Sequence, residues 1–128
     1  MTDSAPASAV AIAPYLLVAD IRRSVDWYTD KIGFSADRLW GEPPVFTIAK
    51  LGGVSLMLKQ SPDAPSVATQ REDDAWNAYI WVRDIKAIEE RLRGKGVPFR
   101  RGPEKTDYGC VEIEIADPDG HVLCFGEA

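Results

Sequence analysis

The chain carries one pattern written twice. Displacing the sequence by 64 positions lays IAPYLLVADIRRSVDWYTDKIGF over WNAYIWVRDIKAIEERLRGKGVPF, so that Tyr15 falls on Tyr79, Val18 on Val82, Asp20 on Asp84, Ile21 on Ile85 and Lys31 on Lys95. A self-similarity at half the chain length governs every later assignment. The 128 residues are too few for two independent domains, so the copies belong to one. Residues 1–9 are small, polar and aperiodic and are expected to form a tail; residues 10–127 form a single domain. Its first module covers about 10–60 and its second about 76–127, joined by a linker at 61–75 that is rich in Pro, Ser and acids.

Each copy opens with a strand, at 12–18 and 76–82, that ends on an aspartate placed to accept the orphan N–H groups of a following helix. Ile21, Val25, Tyr28 and Ile32 in the first helix, and Ile85, Ile88 and Leu92 in the second, each make one apolar stripe at the helical period. Gly33 and the pair Gly94 and Gly96 end these helices. Three strand-like runs follow each: 34–40, 45–50 and 53–59 in the first half, and about 97–101, 109–116 and 121–126 in the second, with LGG and DPDG as hairpin turns. The unit is therefore βαβββ, and the fold class α+β, with two modules forming curved mixed sheets around a cleft.

Alternation along the strands predicts which residues meet the helices. Leu16, Val18, Ile80 and Val82 take the helix side, as do Val111, Ile113 and Ile115. The opposite faces carry Ala13, Tyr15 and Leu17, then Asn77, Tyr79 and Trp81, then Cys110, Glu112 and Glu114, a mixture suited to lining a ligand.

Composition excludes several classes. Apolar residues at 45% and charged residues at 27% match a globular domain, and the net charge of −5 without a basic stripe argues against nucleic acid as a partner. No apolar run reaches a membrane-spanning length, and MTDSAPASAVAIAP lacks a basic region ahead of an apolar stretch, so a cytoplasmic location is expected. Cys110 and Cys124 read as reduced thiols.

APYLLVADIRRSVDWYTDKIGF, NAYIWVRDI and YGCVEIEIADPDGHVLCFGE together resemble the glyoxalase, bleomycin-resistance and ring-cleaving dioxygenase group, the vicinal-oxygen-chelate superfamily, over about residues 10–127. The closing DPDG hairpin in a half-length repeat is the most specific element. In metal-using relatives of this kind four strands supply His and Glu to one divalent ion. Carried onto this chain, those positions are Ala13, Met57, Asn77 and Cys124, which cannot form such a site. The resemblance thus implies a metal-free protein of the bleomycin-resistance type, with no cofactor. His121, beside DPDG, is out of phase with Cys124 and is expected to be structural. Cys124 reads as a small buried hydrophobe, or alternatively as a soft ligand or nucleophile.

The resemblance implies a small-molecule-binding protein that sequesters an aromatic or cationic ligand. The expected binding residues are Tyr15, Trp40, Tyr79, Trp81 and Tyr108 for stacking, Glu112 and Glu114 for charge, and Asn77 and Cys124 on the cleft wall. Glu112 is further marked by matching, with Tyr108 and Gly109, the Y-G-x-x-E of the resembled family. Any of these aromatics could instead fill core or a subunit interface. The alternative is an enzyme of lyase, isomerase or dioxygenase type, using a non-standard metal site or Glu112 or Glu114 as a general base whose pKa a dry pocket raises. A regulatory subunit with a vestigial cleft is a third reading. A homodimer is expected by resemblance, with Trp27, Phe46 and Trp76 as candidate interface groups.

Overall fold

The computed structural model describes residues 7–64, 72 and 74–128. Most of the expected linker, and residues 1–6 of the expected tail, lie outside the described residues. The first module runs β1 (Tyr15–Val18), α1 (Ile21–Trp27) continued by a π-helical turn (Tyr28–Ile32), β2 (Leu39–Trp40), β3 (Phe46–Leu51) and β4 (Val54–Gln60). The second runs β5 (Ala78–Trp81), α2 (Ile85–Gly94), β6 (Arg101–Lys105), β7 (Val111–Ala116) and β8 (Val122–Glu127).

Each module closes its own four-stranded mixed sheet, in the orders β1-β4-β3-β2 and β5-β8-β7-β6, with the first strand parallel to the last and the remaining pairs antiparallel. The fold is α+β. Both helices start where the aspartates predict: Asp20 Oδ1 accepts from the Arg22 and Arg23 amides at 3.1 Å, and Asp84 Oδ1 from the Ala87 amide at 3.1 Å. Gly33, with φ of 102°, ends the π turn in the left-handed region, as glycine does without a Cβ penalty.

Two strands depart from expectation. In place of a strand over 34–40 there is an isolated bridge from Ser35 to Lys50 and the two-residue β2. In place of a strand over about 97–101, β6 begins at Arg101 and runs to Lys105, preceded by a single ladder-like bond from the Arg100 amide to the Glu114 carbonyl at 2.7 Å. The opening strands are also shorter than predicted, at Tyr15–Val18 and Ala78–Trp81, and Pro14, which has no amide to donate, precedes β1.

The helix-side faces of both sheets and both helical stripes merge into a single buried cluster, including Leu16, Val18, Tyr28, Leu58, Ile80, Leu92, Ile113 and Phe125. The halves are also joined by polar contacts at the DPDG turn. Tyr28 donates its hydroxyl to Asp117 Oδ2 at 2.7 Å, the same oxygen that meets His121 Nδ1 at 2.7 Å, and all three residues are buried. Asp119 accepts from the Ala19 amide at 3.0 Å and pairs with Arg23 at 3.3 Å. His121 is thus a structural residue of the inter-module seam. Burial, reinforced by the Asp117 charge, pushes the Tyr28 phenol well above its ordinary pKa, so it remains a donor.

Removing that donor from a buried carboxylate has a definite cost. Tyr28→Phe should lower the unfolding free energy by about 1–3 kcal/mol in urea denaturation, whereas Arg23→Ala, which removes only the exposed partner of Asp119, should lose less than about 1 kcal/mol. Equal losses would show that the Tyr28 hydroxyl does not hold the seam.

Candidate functional site

The face of the second sheet turned away from the helices is built around two carboxylates. On β7, Val111, Ile113 and Ile115 point to the helix side, so Glu112 and Glu114 must point the other way. Both are nonetheless buried, Glu112 completely. A buried carboxylate has to be fully hydrogen-bonded or it costs several kcal/mol. The groups that supply those bonds define the site.

Arg101, cross-strand from Glu114 in the β6–β7 ladder, donates Nη2 to Glu112 Oε1 at 2.7 Å and Nε to Glu114 Oε2 at 2.8 Å. Its remaining nitrogen reaches Glu104 at 3.2 Å. Tyr79 donates its hydroxyl to Glu112 Oε2 at 2.9 Å, and Tyr108 donates to the same oxygen. Trp76 Nε1 donates to Glu114 Oε2 at 2.9 Å, and Arg100 approaches Oε1 of Glu114 at 3.4 Å. Two glycines make this assembly possible. The hydroxyl end of Tyr79 passes over Gly126 of β8, where any Cβ would occupy the space of its phenol, and Gly102, with φ of 91°, brings β6 against the Glu112 carbonyl at a bulge.

The charge distribution follows. Burial raises the pKa of Glu112, but the hydrogen bonds from Tyr108, Arg101 and Tyr79 outweigh it and hold the carboxyl below its ordinary value. The expectation of a carboxyl raised by a dry pocket is therefore corrected for Glu112: its donors stabilise the charged form. The bond to Glu112 pushes the Tyr108 phenol up to about 12, and Tyr79 is raised first by burial and then by Glu112. Arg101 is raised by its bond to Glu112.

An open cavity of about 760 Å³ lies over this cluster. Among the described residues, five carboxylates (Asp74, Glu104, Asp107, Glu112 and Glu114) line it against three basic side chains (Arg100, Arg101 and Lys105), with Trp76 and Tyr108 as its aromatic walls. Beside it, Trp76, Tyr79 and Trp81 form a row with ring centroids 4.9 and 4.8 Å apart. Trp81 is 62% exposed. A second, more apolar cavity of about 570 Å³ borders Tyr79 and Trp81 where the N-terminal segment, the start of β4 and β5 meet.

Of the predicted site residues, Tyr79, Trp81, Tyr108, Glu112 and Glu114 are thus brought together. Cys124 lies on β8 opposite Glu114 and is fully buried. Tyr15 and Trp40 lie on the first sheet instead, each packed against Phe46, at 6.2 and 5.6 Å between centroids. Arg101 and Trp76 were not among the predicted binding residues. Trp76 was expected at an interface, and Arg101 left no signal beyond being a basic residue one strand before two acids.

The positions that bind metal in the resembled family do not fit an ion here. Ala13 has no donor atom, and Met57 offers only a thioether. Asn77 Oδ1 accepts the Val122 amide at 2.7 Å. Burial, with Glu112 and Glu114 nearby, pushes the Cys124 thiol up to about 12, so it is neutral. Within the chain the four also fall into two pairs: the Met57 amide donates to the carbonyl of Pro14 beside Ala13, and Asn77 Oδ1 accepts from Val122 two residues from Cys124. Ala13 and Asn77 border the second cavity together.

Arg101→Met removes the cation from the buried Glu112 and leaves Glu114 only the longer contact to Arg100, and it should cost about 2–3 kcal/mol in denaturation, less than for a fully buried pair because the guanidinium is partly exposed. Since the folded pKa of Glu112 is depressed, its contribution is present above the ordinary value of 4.5 and is lost as pH falls through the lower folded value. The stability difference between wild type and Glu112→Gln, measured by denaturation, should accordingly shrink from neutral pH toward about pH 3. A difference that grows on acidification would contradict the assignment.

Three solved structures illustrate the likeness of the fold. TioX from Micromonospora sp. ML1 superposes with a TM-score of 0.76 at 18% identity, covering 93% of this chain and 98% of that one. A glyoxalase/bleomycin resistance protein/dioxygenase from Alicyclobacillus acidocaldarius gives 0.73 at 18% identity over 92% and 90%. A protein of the same description from Nocardioides gives 0.68 at 21% identity over 96% and 85%. No curated protein matches at comparable significance. A sequence model of the family matches residues 9–125, nearly the whole chain, and with the paired βαβββ sheets it establishes that this protein belongs to the Glyoxalase/Bleomycin resistance protein/Dioxygenase superfamily.

Proposed function

We propose that this protein sequesters a planar aromatic ligand, cationic forms preferred, on the outer face of its second sheet, without a metal ion. The observation that carries the reading is the Trp76–Tyr79–Trp81 row beside a cavity with an excess of carboxylates. Aromatic faces stack on planar rings and attract cations through their quadrupoles, and the surplus negative charge adds to that attraction. The donor atoms at the family's metal positions suit no hard divalent ion, which favours binding over metal-assisted chemistry. An acid–base role for Glu112 is also poorly served, because a general base works best with a pKa near neutrality and this carboxylate is held low. Sequestration of a toxic compound of this class would give its host resistance to it.

The reading includes a homodimer. Tyr15 is 56% exposed beside Phe46 and Trp40, so the first sheet offers an aromatic surface of its own that a second copy could lay against the cleft. The free, buried cysteines agree with a reducing, cytoplasmic setting.

The acridine cation proflavine should raise the apparent melting temperature, with the logarithm of its concentration once the site is filled, and equally with or without added Mn, Ni or Zn. Trp81→Ala should weaken its binding by about tenfold, the worth of one stacked ring. Stabilisation that appears only with a divalent ion would reverse the reading in favour of an enzyme. Sedimentation velocity should find the dimer.

A further inference from the structure

We propose that the ligand carries a hydrogen-bond donor on its planar ring, a hydroxyl or an amino group, and that it binds by taking the place of the Tyr108 phenol on Glu112. The proposal rests on the reading that the β5 aromatic row stacks a planar molecule, and it specifies what that molecule's edge must present.

Glu112 is held by three donors of unequal permanence. Tyr79 and Arg101 project from β5 and β6, and each is tied into further structure: Tyr79 lies over Gly126, and Arg101 also grips Glu114 and Glu104. Tyr108 stands on the turn between β6 and β7 and is 61% exposed, although the carboxylate it reaches is completely buried. Its ring buries little, and its contribution is the hydroxyl. The turn is closed without it. The Thr106 amide bonds the Cys110 carbonyl at 2.7 Å, the Cys110 amide bonds Thr106 Oγ1 at 3.0 Å, and the Gly109 amide bonds the Thr106 carbonyl at 3.2 Å. Rotating the Tyr108 side chain outward breaks none of these.

The chemistry of the vacated position is restrictive. A buried, ionised carboxylate that loses one donor must be given another, since an unsatisfied charged acceptor carries its full desolvation penalty. An incoming ring with only acceptors or hydrogens at that edge therefore cannot displace Tyr108. A hydroxyl replaces like with like, and a protonated amine replaces a neutral donor with a charge-assisted one in a cavity where carboxylates outnumber basic groups. The cavity is lined by Tyr108, Glu112 and Trp76 together, so a ring entering there meets the carboxylate at its edge and the aromatic row at its face.

Calorimetric titration of hydroxyisoquinoline and its methyl ether into wild type and Tyr108→Phe tests this directly. Tyr108→Phe leaves Glu112 the Tyr79 and Arg101 bonds, and its fold is checked by denaturation before the titration. Wild type should bind the hydroxyl compound about five- to tenfold tighter than the ether, the worth of one hydrogen bond. Tyr108→Phe, which removes the competing phenol, should tighten the hydroxyl compound several-fold further and leave the ether unchanged. Equal binding of the two by wild type would overturn this inference and leave the stacking site standing. Tyr108→Phe that weakens the hydroxyl compound, or leaves it unchanged, would also overturn it, making Tyr108 a wall of the pocket and not its plug. Binding of neither compound would overturn both this inference and the site on which it rests.

Discussion

Burying two carboxylates on one strand face is the constraint around which the second module is arranged. Glu112 and Glu114 cannot turn toward the helices, because the alternating Val111, Ile113 and Ile115 already fill that side. They cannot remain buried without donors either. Arg101, Tyr79, Tyr108 and Trp76 meet that demand, and each imposes a condition on the chain around it. Tyr79 requires a glycine beneath it at Gly126, and the approach of β6 requires the bulge at Gly102. The result is a charged, hydrogen-bonded floor with aromatic rings standing beside it.

The first module serves this face indirectly. Its helix packs with α2 and the inner side of both sheets in one core, so both sheets turn their remaining faces outward. The DPDG turn holds that arrangement. Asp117 binds Tyr28 and His121 while Asp119 binds the start of α1, so a hairpin turn of the second half is also the clasp on the first. One tight turn thus performs a local and a long-range task. The same clasp explains why the single histidine of the chain is spent on structure.

Much of this was legible in the sequence because it follows from local rules. The repeat, the capping aspartates Asp20 and Asp84, the helical stripes and the side of β7 on which Glu112 and Glu114 lie all depend on spacing alone. What escaped depends on pairing across strands. Arg101 acquires its role only from its register opposite Glu114, and that register follows a bulge at a glycine that no periodicity announces. The late start of β6 and the near absence of β2 arise likewise, since a run that looks extended becomes a strand only if a neighbour takes its hydrogen bonds. Tyr15 and Trp40 stand apart from Glu112 within one chain for a similar reason: the two repeats form two separate sheets.

The central claim is that the outer face of the second sheet receives a planar ligand with no ion present. It is tested most directly by following the four tryptophan indole N–H resonances in a heteronuclear NMR titration with a planar aromatic cation in the presence of a chelator. The account predicts that the Trp76 and Trp81 signals shift together and saturate, while that of Trp27, packed against Tyr28 on the helix side, stays in place. Shifts that require a divalent ion, or that leave Trp76 and Trp81 unmoved while Trp27 responds, would contradict it.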